Sequence, residues 1–135
     1  MELKQALDRL AELQRKMYAY QAASSSLYLD GTTVAPKDTA EGRGVALGVL
    51  AGEQHKLFSD PQVGELLDFL WAHKDGLDRP VRRQVEELRR SYDQLRRIPA
   101  DEYMEYAVLT NQAGDVWRRA KEASDFQLFR PVLEK

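Results

Sequence analysis

Cysteine is absent from the 135 residues, which excludes disulfides, thiolate metal ligands and cysteine nucleophiles. A surplus of either charge is also missing: 20 Lys and Arg stand against 22 Asp and Glu, for a net charge of −2. With no basic excess to neutralise a phosphate backbone, nucleic acid is excluded as the default partner. Long apolar runs are lacking too. The longest, around Val45–Ala51, is interrupted by Gly48 and falls far short of the roughly 20 residues that span a bilayer. The N-terminus, MELKQALDRL, is charged from its second residue and has no apolar core of a secretory leader. No alternating stretch reads as a strand, and there is no low-complexity tract. These absences point to a soluble, intracellular helical protein, with neither nucleic acid nor membrane as its default partner.

What is present reads as helix. Hydrophobic residues make up 43% and charged residues 31%, a balance suited to one folded domain with one core. Leu3, Leu7, Leu10, Leu13, Met17 and Tyr20 step by threes and fours along a first helix ending near residue 29. The small polar run Ala22-Ala23-Ser24-Ser25-Ser26 weakens it and invites a bend. Asp30-Gly31 is expected to end it, with Gly31 free to take a positive φ. Val34-Ala35-Pro36 is expected to be extended, because the residue before proline avoids the α region. Asp38 with Glu41 then reads as a capping box opening a second helix over about 39–58. Asp60-Pro61 and Asp78-Arg79-Pro80 start a third and a fourth, the latter with Val81, Val85, Leu88, Tyr92 and Leu95 as its seam. A fifth runs from about 102 to 123, with Tyr106, Leu109, Ala113, Val116 and Ala120 on one stripe. The expected fold class is all-α: about five helices in an antiparallel bundle or hairpin array, with a non-helical joint near 30–38.

Two features need a reason. Gly44, Gly48 and Gly52 recur every four residues inside the second helix, and each costs about 1 kcal/mol against alanine. Either a neighbouring helix packs closely over the stripe, or the stripe is open to a partner, as in a free-standing helical interaction module. At the other end, Pro131 reads as the first residue of a further helix with four residues behind it, too few to be stable alone. The expectation is a fragment of a longer protein.

Catalytic chemistry is sparse. His55 and His73 lie near the ends of different helices, where a helix dipole favours imidazolium. No H-E-x-x-H and no Glu-x-x-His occurs, so the usual zinc helix and the di-iron bundle are both missing. Asp101, Glu102 and Glu105 read as an acidic first turn rather than a metal cluster. Glu86–Arg90, Asp93–Arg97 and Asp115–Arg119 have the spacing of surface ion pairs. Tyr18, Tyr20 and Tyr28 gather near the joint, where a phenol can position a substrate or simply sit half-buried. No residue is assigned a catalytic, cofactor-binding or metal-ligating role, so the chain is expected to be inert by itself.

The joint, Ser26-Leu27-Tyr28-Leu29-Asp30-Gly31-Thr32-Thr33-Val34-Ala35-Pro36, resembles the N-terminal region of the Taq-type zinc carboxypeptidases. Asp30, Thr33, Pro36 and Arg43 stand where that family has an aspartate, a threonine, a proline and a helix-borne arginine. Leu29, Gly31, Thr32 and Ala35 depart from the family's tryptophan, glutamine, glutamate and methionine. Phe58-Ser59-Asp60-Pro61 with Gly64-Glu65-Leu66-Leu67, Val85 to Arg97 with Ile98-Pro99-Ala100, and Trp117-Arg118 through Ser124-Asp125-Phe126 with Leu133-Glu134-Lys135 extend the likeness. The resemblance implies a helical, cytoplasmic, homodimeric metallopeptidase that removes C-terminal residues from peptides. Its zinc, or a similar divalent metal, would be held downstream of this region. It further implies that residues 1–135 form a lid or groove wall against the remainder of the catalytic domain. Asp30, Thr33, Pro36 and Arg43 would then edge the substrate groove or shape the joint.

Overall fold

The computed structural model describes all residues from Met1 to Lys135. Six α-helices and no strand follow one another: α1 Leu3–Thr32, α2 Ala40–Ser59, α3 Pro61–Ala72, α4 Arg79–Leu95, α5 Ala100–Glu122 and α6 Arg130–Leu133. Short 3-10 turns occupy Lys37–Thr39, Lys74–Gly76 and Phe126–Leu128. The all-α expectation holds. The proline-marked starts do as well, since Asp60 and Asp78 each accept a backbone N–H, from Gln62 at 2.8 Å and Val81 at 3.0 Å.

The core is built at one end. Ala6, Leu10 and Leu13 of α1 meet Phe58, Val63, Leu66, Leu67 and Leu70, with Val85 of α4 closing the cluster. The buried line on α1 is thus Ala6–Leu10–Leu13, flanked by the half-buried Leu3, Leu7 and Met17. α3 and α4 form an antiparallel hairpin, tied by Arg89 donating to Asp68 at 2.7 Å. The hairpin closes tightly because Gly64 has no side chain: a Cβ there would lie 2.7 Å from the Tyr92 hydroxyl.

The glycine stripe of α2 is occupied from within the chain. α5 runs antiparallel over it, Gln112 over Gly44, Val108 over Gly48 and Met104 over Gly52. A Cβ at Gly48 would fall onto Val108 Cγ2. The stripe is therefore a groove for close helix packing, and α5 leaves no room on it for a partner helix. The face α5 applies is Met104–Val108–Gln112. The stripe read from the sequence is rotated from it, which leaves Tyr106 64% exposed while Ala120 is buried.

The joint is shorter than the sequence suggested. α1 runs unbroken through the serines and through Asp30-Gly31 to Thr32. Ser26 Oγ donates to the Ala22 carbonyl at 3.0 Å, so the hydroxyl bonds its own helix instead of competing with it. No glycine in the chain has a positive φ, so Gly31 is a helical residue rather than a turn former. The Asp38–Glu41 capping box does not form, because a 3-10 turn over Lys37–Thr39 places Thr39 at the N-cap of α2. A capping box forms instead at the start of α1, between Glu2 and Gln5. The expected ion pairs shift register as well. Arg83 engages Glu86 and Glu87, Asp93 engages Arg96, and Asp115 engages Arg118. Arg97 lies beyond the end of α4, and Arg118 is drawn inward.

α5 ends in a Schellman motif. Asp125 N–H donates to Ala120 O at 2.9 Å, Ser124 N–H to Lys121 O at 3.1 Å, and Ser124 takes φ 52°. Replacing Ser124 by glycine removes the left-handed penalty and is expected to stabilise the fold by up to about 1 kcal/mol in urea unfolding. Gly48→Ala is expected to destabilise by about 1–3 kcal/mol through the Val108 clash. Gly42→Ala, with nothing within 4 Å of the new Cβ, should be neutral or gain up to about 1 kcal/mol. Equal effects at 42 and 48 would refute the packing role of the stripe.

Candidate functional site

A cleft of about 250 Å³ lies where the C-terminus of α1, the first half of α2 and the later half of α5 converge. It is built on the last turn of α1, whose terminal carbonyls need partners outside the helix. Thr32 Oγ1 donates to Tyr28 O and Leu29 O at 3.1 Å each, and Thr33 Oγ1 donates to Leu29 O at 2.6 Å. Asp30 O accepts from the backbone of Thr33, Val34 and Ala35. Gly31 O accepts from Arg118 of α5 at 3.1 Å, which sets a guanidinium at the negative end of the helix dipole. Arg118 is held from its other side by Asp115 Oδ1 at 3.0 Å.

Arg43 enters the same space from α2. Its side chain lies against the last turn of α1, and a Cβ at Gly31 would sit on Nε and only 2.6 Å from Cζ. Gly31 is required by this close approach and not by backbone freedom. Arg43 Nη1 donates to Thr39 Oγ1 at 3.0 Å, and that hydroxyl in turn donates to Pro36 O at 2.7 Å. Tyr28, Asn111 and Trp117 complete the walls.

The four residues singled out from the sequence do not converge as a set. Arg43 is half-buried in the cleft, while Asp30, Thr33 and Pro36 are exposed and act as backbone or hydroxyl partners of the turn. Arg118 and Asn111, central to the cleft, were not flagged by sequence reasoning as site residues. The signal available for Arg118 was its i,i+3 spacing from Asp115. Tyr18 and Tyr28 are 74% and 61% exposed, so the tyrosines form no enclosed cluster.

Histidine and carboxylate chemistry lies elsewhere. His55 is buried, 4.8 Å from the Tyr103 ring, with Nδ1 3.4 Å from Ser59 Oγ. His73, just past α3, stacks on Phe69 and its Nδ1–H donates to Phe69 O at 2.8 Å. The Glu12 carboxyl is held below its usual range by a hydrogen bond from Lys16 and by that ammonium's charge, on an open helix face. No three His, Asp or Glu side chains converge closely enough to hold a metal ion.

Comparison with known proteins places this geometry. Residues 9–135 match the family described as carboxypeptidase Taq (M32) metallopeptidase. The chain belongs to that M32 family. It is 32% identical over 124 residues to Carboxypeptidase 1 of Bacillus subtilis, covering 92% of this chain and 25% of the relative. It is 32% identical over 135 residues to Thermostable carboxypeptidase 1 of Thermus thermophilus, covering 96% of this chain and 26% of the relative. A solved structure titled BsuCP Crystal Structure superposes with a TM-score of 0.93 at 31% identity, over 96% of this chain and 26% of that one. The chain thus spans about a quarter of the length of the M32 relatives it matches. M32 proteins are metallopeptidases, yet the residues present here do not fit a catalytic metal.

Gly31→Ala is expected to cost about 1–3 kcal/mol by displacing Arg43. In the background of Arg43→Ala that cost should shrink, giving a coupling of about 1 kcal/mol or more in a double-mutant cycle. Strict additivity of the two changes in urea unfolding would argue that Gly31 and Arg43 do not share the space.

Proposed function

We propose that this chain is the N-terminal lid or groove-wall portion of a zinc-dependent carboxypeptidase that removes C-terminal residues from peptides. In this reading Asp30, Thr33, Pro36 and Arg43 shape the joint beside the substrate groove. The zinc, or a similar divalent ion, and the general base are contributed by the remainder of the catalytic domain. The whole enzyme works in the cytoplasm as a homodimer. The observation that carries the reading is the near-complete superposition of this chain on a quarter of the structure titled BsuCP Crystal Structure.

A second observation supports the need for a large covering partner. The chain exposes 9356 Å², whereas a compact monomer of its mass exposes about 7,200 Å². The excess is on the order of the area of an obligate interface. It includes large apolar side chains, among them Val34 at 81%, Leu29 at 62% and Trp117 at 50% exposed. No helix is long and apolar enough to cross a membrane.

The test uses the longer reading frame. An H-E-x-x-H downstream of Lys135, with zinc-dependent release of C-terminal amino acids by the longer polypeptide and none by residues 1–135 alone, is the expected result. A longer polypeptide that binds zinc but cleaves no peptide would leave a family member without catalysis and overturn the enzymatic reading. Residues 1–135 alone are expected to self-associate through the uncovered apolar faces. A strictly monomeric species in sedimentation at high concentration would count against that expectation.

A further inference from the structure

Three charged side chains line the joint cleft: Arg43, Arg118 and Asp115. Asp115 is spoken for by Arg118 at 3.0 Å, and Arg118 also donates to Gly31 O. Arg43 has no carboxylate within ion-pair distance, and one of its N–H groups finds an acceptor, Thr39 Oγ1 at 3.0 Å. The cleft therefore carries one uncompensated positive charge, half-buried against the end of α1. A guanidinium partly withdrawn from water gains from a counter-charge within hydrogen-bond reach.

The cleft is shaped for that counter-charge. The absent side chain of Gly31 lets the Arg43 guanidinium approach the last turn of α1, where a Cβ would fall on Nε and lie 2.6 Å from Cζ and 2.9 Å from Nη2. Thr32 and Thr110 donate their hydroxyl protons back to helix carbonyls, so the guanidinia are the cleft's charged donors. A planar fork in this position matches a carboxylate, which it can hold through two parallel N–H···O bonds. The volume of about 250 Å³ admits a carboxylate on a short stem.

We propose that the Arg43 cleft is a carboxylate-binding site. The carboxylate comes either from an Asp or Glu side chain of the remaining three quarters of the polypeptide or from a free ligand such as a peptide terminus. The proposal stands on the charge and shape of the cleft and does not depend on peptidase activity.

Acetate is the probe, with acetamide as the neutral control at matched ionic strength, and the Arg43 Nε–H resonance in nitrogen-15-labelled residues 1–135 is the readout. Acetate should shift this resonance saturably and acetamide should not. Arg43→Gln should weaken acetate binding, read from neighbouring backbone amides, at least tenfold. Arg43→Lys should weaken it several-fold, since an ammonium keeps the charge and loses the fork. Far-UV circular dichroism confirms that each variant keeps its helices, and Lys serves if Gln unfolds. Equal shifts from acetate and acetamide, or binding by Arg43→Gln within twofold of the parent chain, overturns the proposal.

The longer polypeptide then separates the two sources. If its own side chain fills the site, the Arg43 resonance already lies at the acetate-saturated position and added carboxylate does not move it. If the ligand is free, the resonance moves with an N-acetyl dipeptide and not with the dipeptide amide. A resonance that is neither pre-shifted nor responsive overturns the proposal by a different route from a failed peptidase assay.

Discussion

The close approach of α5 to α2 is the constraint on which the rest of the joint depends. Gly44, Gly48 and Gly52 remove three side chains from one face of α2, and Gln112, Val108 and Met104 fill the space. This sets the register of α5. The residues one and two turns beyond Gln112 then face the end of α1, and Arg118 reaches the Gly31 carbonyl. Had larger side chains held the helices apart, the guanidinium would have no carbonyl to meet and the cleft would open into a gap. A cost of about 1 kcal/mol per glycine in helix propensity is offset by this close packing.

Stability is uneven along the molecule. The core lies at the end made by the first half of α1, α3 and α4, with Leu67, Leu70 and Val85 essentially inaccessible. Beyond Leu13, α1 buries only Gly31. Its second half lies along α2 with side chains no more than half-buried, and its tip is tied by Arg43 and Arg118. Few buried contacts mean low local stability, so the α1 tip and the joint are the parts most dependent on what covers them. This fits a chain that spans about a quarter of the length of its M32 relatives.

Much of the architecture was legible in the chain before any coordinates. Asp60-Pro61 and Asp78-Arg79-Pro80 mark helix starts because an aspartate cap and a proline at the first turn satisfy or remove the orphan N–H groups locally. The seam of α4 was legible for the same reason, since periodicity is a property of one helix. Gly31 misled because Asp-Gly is a common turn former. Its helical φ and its role as a seat for Arg43 depend on a side chain twelve positions away. The Asp38 box misled because a 3-10 turn over Lys37–Thr39 moves the N-cap of α2 to Thr39.

The sequence by itself determined the class of fold, the order of its helices and the family likeness. Caps, periodicity and motif order are short-range features, and they survive in one dimension. Only the tertiary structure decided which face of α5 meets the glycine stripe and that Arg118 reaches the Gly31 carbonyl. It alone left Arg43 without a counter-charge. Those outcomes turn on the rotation and separation of helices far apart in the chain, where a shift of one residue turns the presented face of a helix by about 100°.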